Sequence, residues 1–547
     1  MSIFKRAMLI ILVIMVCFIT SCTNKNRDYQ RDHIESKEVT TIEIKKDEIV
    51  KFSEEPLKIL YAGQMQNWGV QHSNADGMIL NFLVLSQLCE KELGYPLEFI
   101  QLNEDKEIYN QYATYINSGS PADLIFPVKV NVGGEKRCQY WGDQYVNEGL
   151  YMDISPNLAQ FCPEAILNFE RYPEIKEMCM RDGKIYALYA GMPKISALSI
   201  FIRNELVEEN NITGFHDFDM LFKLMQDMYY RNEELTDNKK IMVHPYYLLR
   251  YIIHQSGYYP LYNEHDILLK QEDENCILYP IEDTDVLDNF FEMFRGFFEN
   301  TYIISETNTR LRLLNVQNGQ DMYITDDPLR VTKAMSRNFG GDEENFFNFY
   351  TMFLLNDQKP VITAPDSIQR IIVPYTCTQP EKALYFMQWM MTDEDVSDIL
   401  TFGSVMKELR HYRYSEDGTT IPWKYNTIYA FCNLIANFTD KVFLYGNKSF
   451  DVSKAYKEMT YKAVYPPLYK KIDSQHINYE LLWELEIEYF RVKSIKYIKD
   501  SLQELITNPY GSLSADIMKA ELTEIARNDG WLEYCTELVH KRIMYVE

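Results

Sequence analysis

The sequence predicts an α/β protein with two doubly wound lobes joined by a hinge and a helical C-terminal region. Three observations carry this. From Leu57 to Pro127, short apolar runs alternate with helical-period stretches in the order β-α-β-α-β, the signature of a mostly parallel sheet with helices on its faces. After Tyr186 the alternation returns more loosely. From about Asp451 onward the chain reads as nearly all helix.

The elements follow in order. LKILYAG, starting at Leu57, is a short apolar strand ending at a glycine. GMILNFLVLSQLCEKELG has helical periodicity and a glycine stop at Gly94. YPLEFIQL is a second strand, IYNQYATYINSGS a helix ending in small residues, and ADLIFP a third strand. SALSIFIRNELV reads as a strand running into a helix start. GFHDFDMLFKLMQDMYY is a helix with Asp217 placed as its N-cap, and VLDNFFEMFRGFFENTYI is another amphipathic helix. NGQDMYITDD is a glycine turn feeding a short strand, and PEKALYFMQWMMTDEDV opens a helix with proline and acids.

Composition narrows the class. A chain of 547 residues suggests two or more domains. A net charge of −25 would be repelled by phosphate backbones, so nucleic acid is not expected as a partner. Ten cysteines include no CxxC and none beside a histidine at metal-ligand spacing, so no metal and no cofactor is expected. Mostly buried free thiols are expected in the body, with one or two bridges allowed by export.

The N-terminus has its own logic. Lys5 and Arg6 lead an apolar run from Ala7 to Thr20, the length of a signal-peptide core and too short for a comfortable membrane span. It ends Ile19-Thr20-Ser21-Cys22, which resembles the lipobox of bacterial lipoproteins. That resemblance implies that the Cys22 thiol receives a diacylglycerol and becomes the new N-terminus. Residues 1–21 are then a signal peptide, whose loss removes two positive charges and takes the net charge from −25 to −27. Residues 22–55, polar and poor in aromatics, read as a flexible tether. The expected location is the extracellular face of the bacterial membrane, held by lipid.

Several stretches, in this order, resemble the extracellular solute-binding proteins of bacterial ABC transporters, the large family that includes sugar binders. They are the lipobox, YINSGSPADLIFP, NEGLYMDISP, DGKIYALYAGMPKISALSIFIRNELVEENNI, NGQDMYITDD, PEKALYFMQWMMTDEDV and NDGWLEYCTELVHKR. Together they span roughly residues 19 to 542. The resemblance implies a periplasmic-binding-protein-like fold in which the chain crosses between lobes twice. Lobe 1 is then residues 56–195 plus 358–405, and lobe 2 is residues 196–357 plus 406–547 with the C-terminal helices. Pro193, Ser196 and Ser199 suit an extended hinge, the alternative being an ordinary loop.

In doubly wound lobes, ligands sit beyond the carboxyl ends of the parallel strands. After LKILYAG come Gln66, Asn67 and Trp68, amide groups beside an indole face, which suits sugar hydroxyls and apolar ring faces. The other reading of Trp68 is a loop aromatic packed on the body. The family resemblance implies ligand positions at Lys129 and Asn131, and in the second lobe at Tyr323, Asp326 and Asp327. A solvated Lys129 and a surface acidic pair are the alternatives. Tyr189, before the crossover, and Tyr375, in IIVPYTCT, complete the set.

These features suit capture of a solute, with an oligosaccharide as the leading ligand and a peptide or modified sugar next, and delivery to ABC permease subunits. A sensor or surface interaction module built on the same body is the alternative. An enzyme is not expected: no GxSxG, HExxH, P-loop or GxGxxG occurs. A surface glycosidase would need a carboxylate pair that 80 acidic residues cannot single out.

Overall fold

The computed structural model describes residues 51–62, 75–102, 108–126, 129–132, 135–138, 146–224 (without 192, 194, 197, 218 and 222), 245–300 (without 262 and 263), 322–325, 350–355, 360–362, 370–396 (without 394 and 395), 412–414, 420–422, 458–468, 488–508 and 511–529. The leader, Cys22 and the tether up to residue 50 lie outside this set.

The first α/β unit follows its hydrophobic pattern closely. β1 (Leu57–Ala62) leads through α1 (Ala75–Leu93) to β2 (Leu97–Leu102), then through α2 (Ile108–Asn117) to β3 (Leu124–Ile125). Gly94, at φ 86°, ends α1 in the left-handed region that favours glycine, and its N–H donates to the Glu90 carbonyl at 3.1 Å. A hairpin of β4 (Lys129–Val132) and β5 (Glu135–Cys138) follows. Three short helices, α3 (Ser155–Phe161), α4 (Pro163–Arg171) and α5 (Pro173–Met178), each carry proline in the first turn, where its missing N–H costs nothing. The hairpin of β6 (Met180–Arg181) and β7 (Lys184–Ile185) then brings the chain to β8 (Ala187–Leu188).

Next come β9 (Ile195–Ser196), β10 (Ser199–Arg203) and α6 (Asn204–Glu209). α7 (Pro245–Gln255) precedes a meander of β11 (Tyr258–Pro260), β12 (Ile267–Lys270) and β13 (Leu278–Pro280), and α8 (Val286–Asn300) follows it. β14 (Met322–Thr325), β15 (Tyr350–Leu354), β16 (Val361–Ile362) and β17 (Ile371–Ile372) lead to α9 (Pro380–Thr392). A hairpin of β18 (Tyr412–Tyr414) and β19 (Thr420–Pro422) and two long helices, α10 (Glu488–Thr507) and α11 (Ala515–Asp529), complete the described elements.

Strand order defines the architecture. The first sheet runs β2-β1-β3-β17-β8: β1 is parallel to β2 and β3, while β17 is antiparallel to both β3 and β8. The second sheet runs β14-β10-β15 and is antiparallel throughout its described residues. The chain therefore leaves the first sheet after β8, enters the second at β10, and re-enters the first at β17. Between the two sheets, β9 and β16 pair antiparallel with each other. A third strand of chain joins them, since Ile362 N–H donates to the Val464 carbonyl at 3.0 Å and Val464 N–H to the Pro360 carbonyl at 2.8 Å.

Among the described residues, two clusters of buried apolar side chains accompany the sheets. The first gathers Leu57, Ile59, Leu124, Phe169, Ile371 and Phe386, and also Tyr465 and Leu468 from the segment after residue 458. The second gathers Ile200, Ile202, Leu249, Phe290 and Leu355, with Ile498, Leu502, Met518 and Leu522 from α10 and α11. Apolar burial of this kind stabilises by about 25 cal/mol per Å², so each cluster is a core in its own right.

One buried cation secures the start of the first unit. Lys382 is only 2% exposed, and its Nζ donates to the carbonyls of Ser53 and Glu55 and lies 4.2 Å from the centre of the Tyr95 ring. Burial of an ammonium is tolerated here because carbonyls and a ring face replace its water. Cys89, Cys162 and Cys377 are buried free thiols, as expected, Cys179 and Cys276 are buried too, and burial pushes the Cys162 thiol up to about 12.

Candidate ligand-binding site

The carboxyl ends of β1, β2 and β3 define one end of the first sheet. Because β17 is antiparallel to β3 and β8 is antiparallel to β17, β8 runs the same way as the parallel strands. Tyr189, which follows β8, therefore sits at the carboxyl end, and Arg370, which precedes β17, sits there too. Tyr375 follows β17 and lies at the opposite end, where the Thr376 hydroxyl donates to the Ala122 carbonyl at 3.5 Å and the Cys377 thiol to Asp123 at 3.4 Å. Tyr375 is 44% exposed, and its hydroxyl donates to the Ile116 carbonyl at 3.2 Å. Tyr189 and Tyr375 are not brought together.

Around Tyr189 the structure assembles polar groups that the sequence did not single out. The Tyr189 side chain is 0% exposed and stacks edge-on against Tyr172, with ring centres 5.7 Å apart. The hydroxyls of Tyr172 and Thr460 are hydrogen-bonded at 2.8 Å. Asn168 Nδ2 donates to the carbonyls of Tyr189 (2.8 Å) and Gly191 (3.2 Å), fixing the chain where it leaves the first sheet. Arg370 Nη1 donates to the Met178 carbonyl at 3.2 Å. Burial holds the Tyr189 phenol well above its ordinary value, Tyr172 and Cys179 push the same way, and the Arg370 charge opposes them.

The Tyr189 hydroxyl itself is buried, with no hydrogen-bond partner among the described residues. A desolvated hydroxyl left unpaired costs about 1–3 kcal/mol. Tyr189→Phe is therefore expected to raise the free energy of unfolding by about 1 kcal/mol, read by chemical denaturation. A loss of stability instead would mean that the hydroxyl is satisfied in solution.

In the second sheet, Tyr323 lies in β14 opposite Phe201 of β10. Thr325, at the end of β14, is opposite Ser199, and Ser199 is also opposite Leu354 at the end of β15. The carboxyl ends of β14 and β15 thus meet the start of β10, where the chain has just crossed from the first sheet. Both this end and the Tyr189 end flank the crossing segment. Lys129 and Asn131 lie two residues apart in β4, opposite Cys138 and Lys136 of β5. Gln66, Asn67, Trp68, Asp326 and Asp327 lie outside the described residues.

Among the described residues, no group of three histidine, cysteine or acidic side chains is placed to hold a metal ion, and no helix is long and apolar enough to cross a membrane. The groups assembled near the crossing are amides, phenols, hydroxyls and a guanidinium. All five side chains that supply them, Asn168, Tyr172, Tyr189, Arg370 and Thr460, are buried, so they hold the crossing segment and its neighbours in place rather than face solvent.

A mixed α/β body of two sheets joined by crossing strands is the class the topology defines. No family model matches the chain, and no curated protein matches it. Its similarities are to solved structures of extracellular solute-binding proteins. The N-glycan transport solute-binding protein NgtS of Streptococcus pneumoniae is 15% identical, with 89% of this chain and 98% of that one covered and a TM-score of 0.44. A family 1 extracellular solute-binding protein of Alicyclobacillus acidocaldarius is 10% identical over 87% of this chain and 98% of that one, with a TM-score of 0.49. An extracellular solute-binding protein of Bifidobacterium longum subsp. infantis is 12% identical over 90% and 98%, with a TM-score of 0.48. At this degree of likeness the fold rests on the strand order itself.

Proposed function

We propose that this chain is a lipid-anchored extracellular solute-binding protein that captures an oligosaccharide between two lobes and delivers it to an ABC importer. The observation that carries the reading is the discontinuous strand order. β17 completes a sheet begun by β1, β2, β3 and β8, while β10, β14 and β15 form a separate sheet in between. Such wiring joins two bodies through short crossing segments, which is what a cleft that closes on a ligand requires. The proposed ligand set is Gln66, Asn67, Trp68, Lys129 and Asn131 from the first lobe and Tyr323, Asp326 and Asp327 from the second; Tyr189 is fully buried behind the crossing segment, and Tyr375 lies at the opposite end of the first sheet. No step in this reading makes or breaks a covalent bond in the ligand.

A thermal-shift screen of the body from residue 52 onward against defined oligosaccharides and peptides tests it. A true ligand at one hundred times its Kd adds about 2.7 kcal/mol of stability. Stabilisation by oligosaccharides alone supports the reading, and stabilisation by peptides alone overturns the ligand class. The anchor is tested separately. Cys22→Ser removes the thiol that would carry the diacylglycerol and is expected to move the protein from the membrane to the soluble fraction. Retention on membranes after a high-salt wash would remove the anchor from the account.

A further inference from the structure

We propose that the β11–β13 meander is a fulcrum between the two bodies, fixed in the second and bearing on the first. The proposal deepens the two-body reading above. Its basis is the pleat of this small sheet, whose two faces enter different cores.

The register assigns the faces. Leu269 is opposite both Tyr259 of β11 and Leu278 of β13, so these three share one face, and Ile267, two residues from Leu269, shares it as well. Ile267, Leu269 and Leu278 belong to the first cluster of buried side chains, with Leu261 and Cys276 beside them. Leu268 is opposite Tyr279, and both belong to the second cluster, as does Tyr258. The Tyr258 and Tyr279 rings pack edge-on at 5.6 Å.

Among the described residues, the ends of the meander are tied to the second body. α7 before it and α8 after it bury Leu248, Leu249, Ile252, Phe290 and Phe294 in the second core, and Ile281, just after β13, is there too. The sheet must therefore travel with the second body, while its Ile267–Leu269–Leu278 face stays sealed against the first. Buried apolar packing resists separation but tolerates small sliding, so the bodies can rotate about this contact more easily than they can part at it.

The test needs no ligand, so its failure is distinct from failure of the capture reading. Ketone-bearing residues at Leu83 (55% exposed, α1) and Ile517 (46% exposed, α11) in the full chain carry nitroxide labels and leave the cysteines untouched. Pulsed dipolar spectroscopy then reads the distance distribution between the bodies. Ile267→Ala and Leu278→Ala are made singly, so that one folded variant suffices, with Leu268→Ala as the control on the opposite face. The fulcrum predicts that either first-face variant broadens the distribution about twofold while Leu268→Ala leaves its width unchanged. An unchanged width in the first-face variants, or equal broadening by Leu268→Ala, overturns it.

Discussion

Phe201→Ala is expected to lower the free energy of unfolding by about 4 kcal/mol, the loss typical of a fully buried aromatic ring. Phe201 is the middle residue of β10, the central strand of the second sheet, between Tyr323 of β14 and Met352 of β15. Ile200 and Ile202 enter the second core, and strand alternation puts Phe201 on the opposite face, where it is also fully buried. The sheet is thus packed on both sides at the strand that receives the chain from the first body. Chemical denaturation of the variant measures the loss. A cost below about 1 kcal/mol would mean that the outer face of β10 is open to solvent.

Acid is expected to act on the second body through the half-buried His254 and the buried His265. His254 at the end of α7 packs edge-on against Tyr259, with ring centres 5.6 Å apart, and burial with the nearby Arg250 charge lowers its pKa to about 3. His265 is held well below its ordinary value by burial, by Arg250 and Lys499, and by His254 itself. A lowered folded pKa means that the unfolded chain takes up a proton the folded chain refuses. Stability from these groups is present above the ordinary histidine pKa of about 6.5 and is lost as pH falls from there towards 3. Glu282 acts in the opposite sense. Burial, with Asp283 and Asp266 nearby, raises its pKa to about 7, so its contribution is full below the ordinary carboxyl value and lost as pH rises through 7. Comparing the chain with His254→Phe isolates one histidine, since Glu282 and His265 are common to both. The difference in unfolding free energy should move by about 2 kcal/mol in favour of the variant between pH 7 and pH 4.5, with allowance for the partly exposed ring. A difference that stays constant with pH would place a neutralising acid beside His254.

Much of the first sheet was legible because its signals are local. LKILYAG, YPLEFIQL and ADLIFP are short apolar runs separated by helical periods and glycine stops, and β1, β2 and β3 fall within them. The meander was not legible. In ILLK of β12 three consecutive residues are buried, because its two faces enter two cores, and a strand buried on both sides has no polar–apolar alternation to read. The polar groups around Tyr189 were hidden for a different reason. Arg370 and Thr460 are single polar residues whose partners Met178 and Tyr172 lie far away in sequence. Only the charge entering the apolar run QRIIVPY hinted that Arg370 is special. The separation of Tyr189 from Tyr375 depends on strand direction, which composition does not encode. Trp68 is placed by its position after the first strand and Asp326 and Asp327 by family resemblance, and all three lie outside the described residues.

The central claim is capture by closure without chemistry, and small-angle scattering on the body with a stabilising oligosaccharide tests it most directly. A protein with two bodies joined by crossing strands should show a smaller radius of gyration when saturated, because ligand bridging both bodies favours the closed state. Mass spectrometry of the same sample should recover the oligosaccharide intact. An unchanged radius of gyration at saturation would contradict closure, and a cleaved oligosaccharide would contradict binding without chemistry.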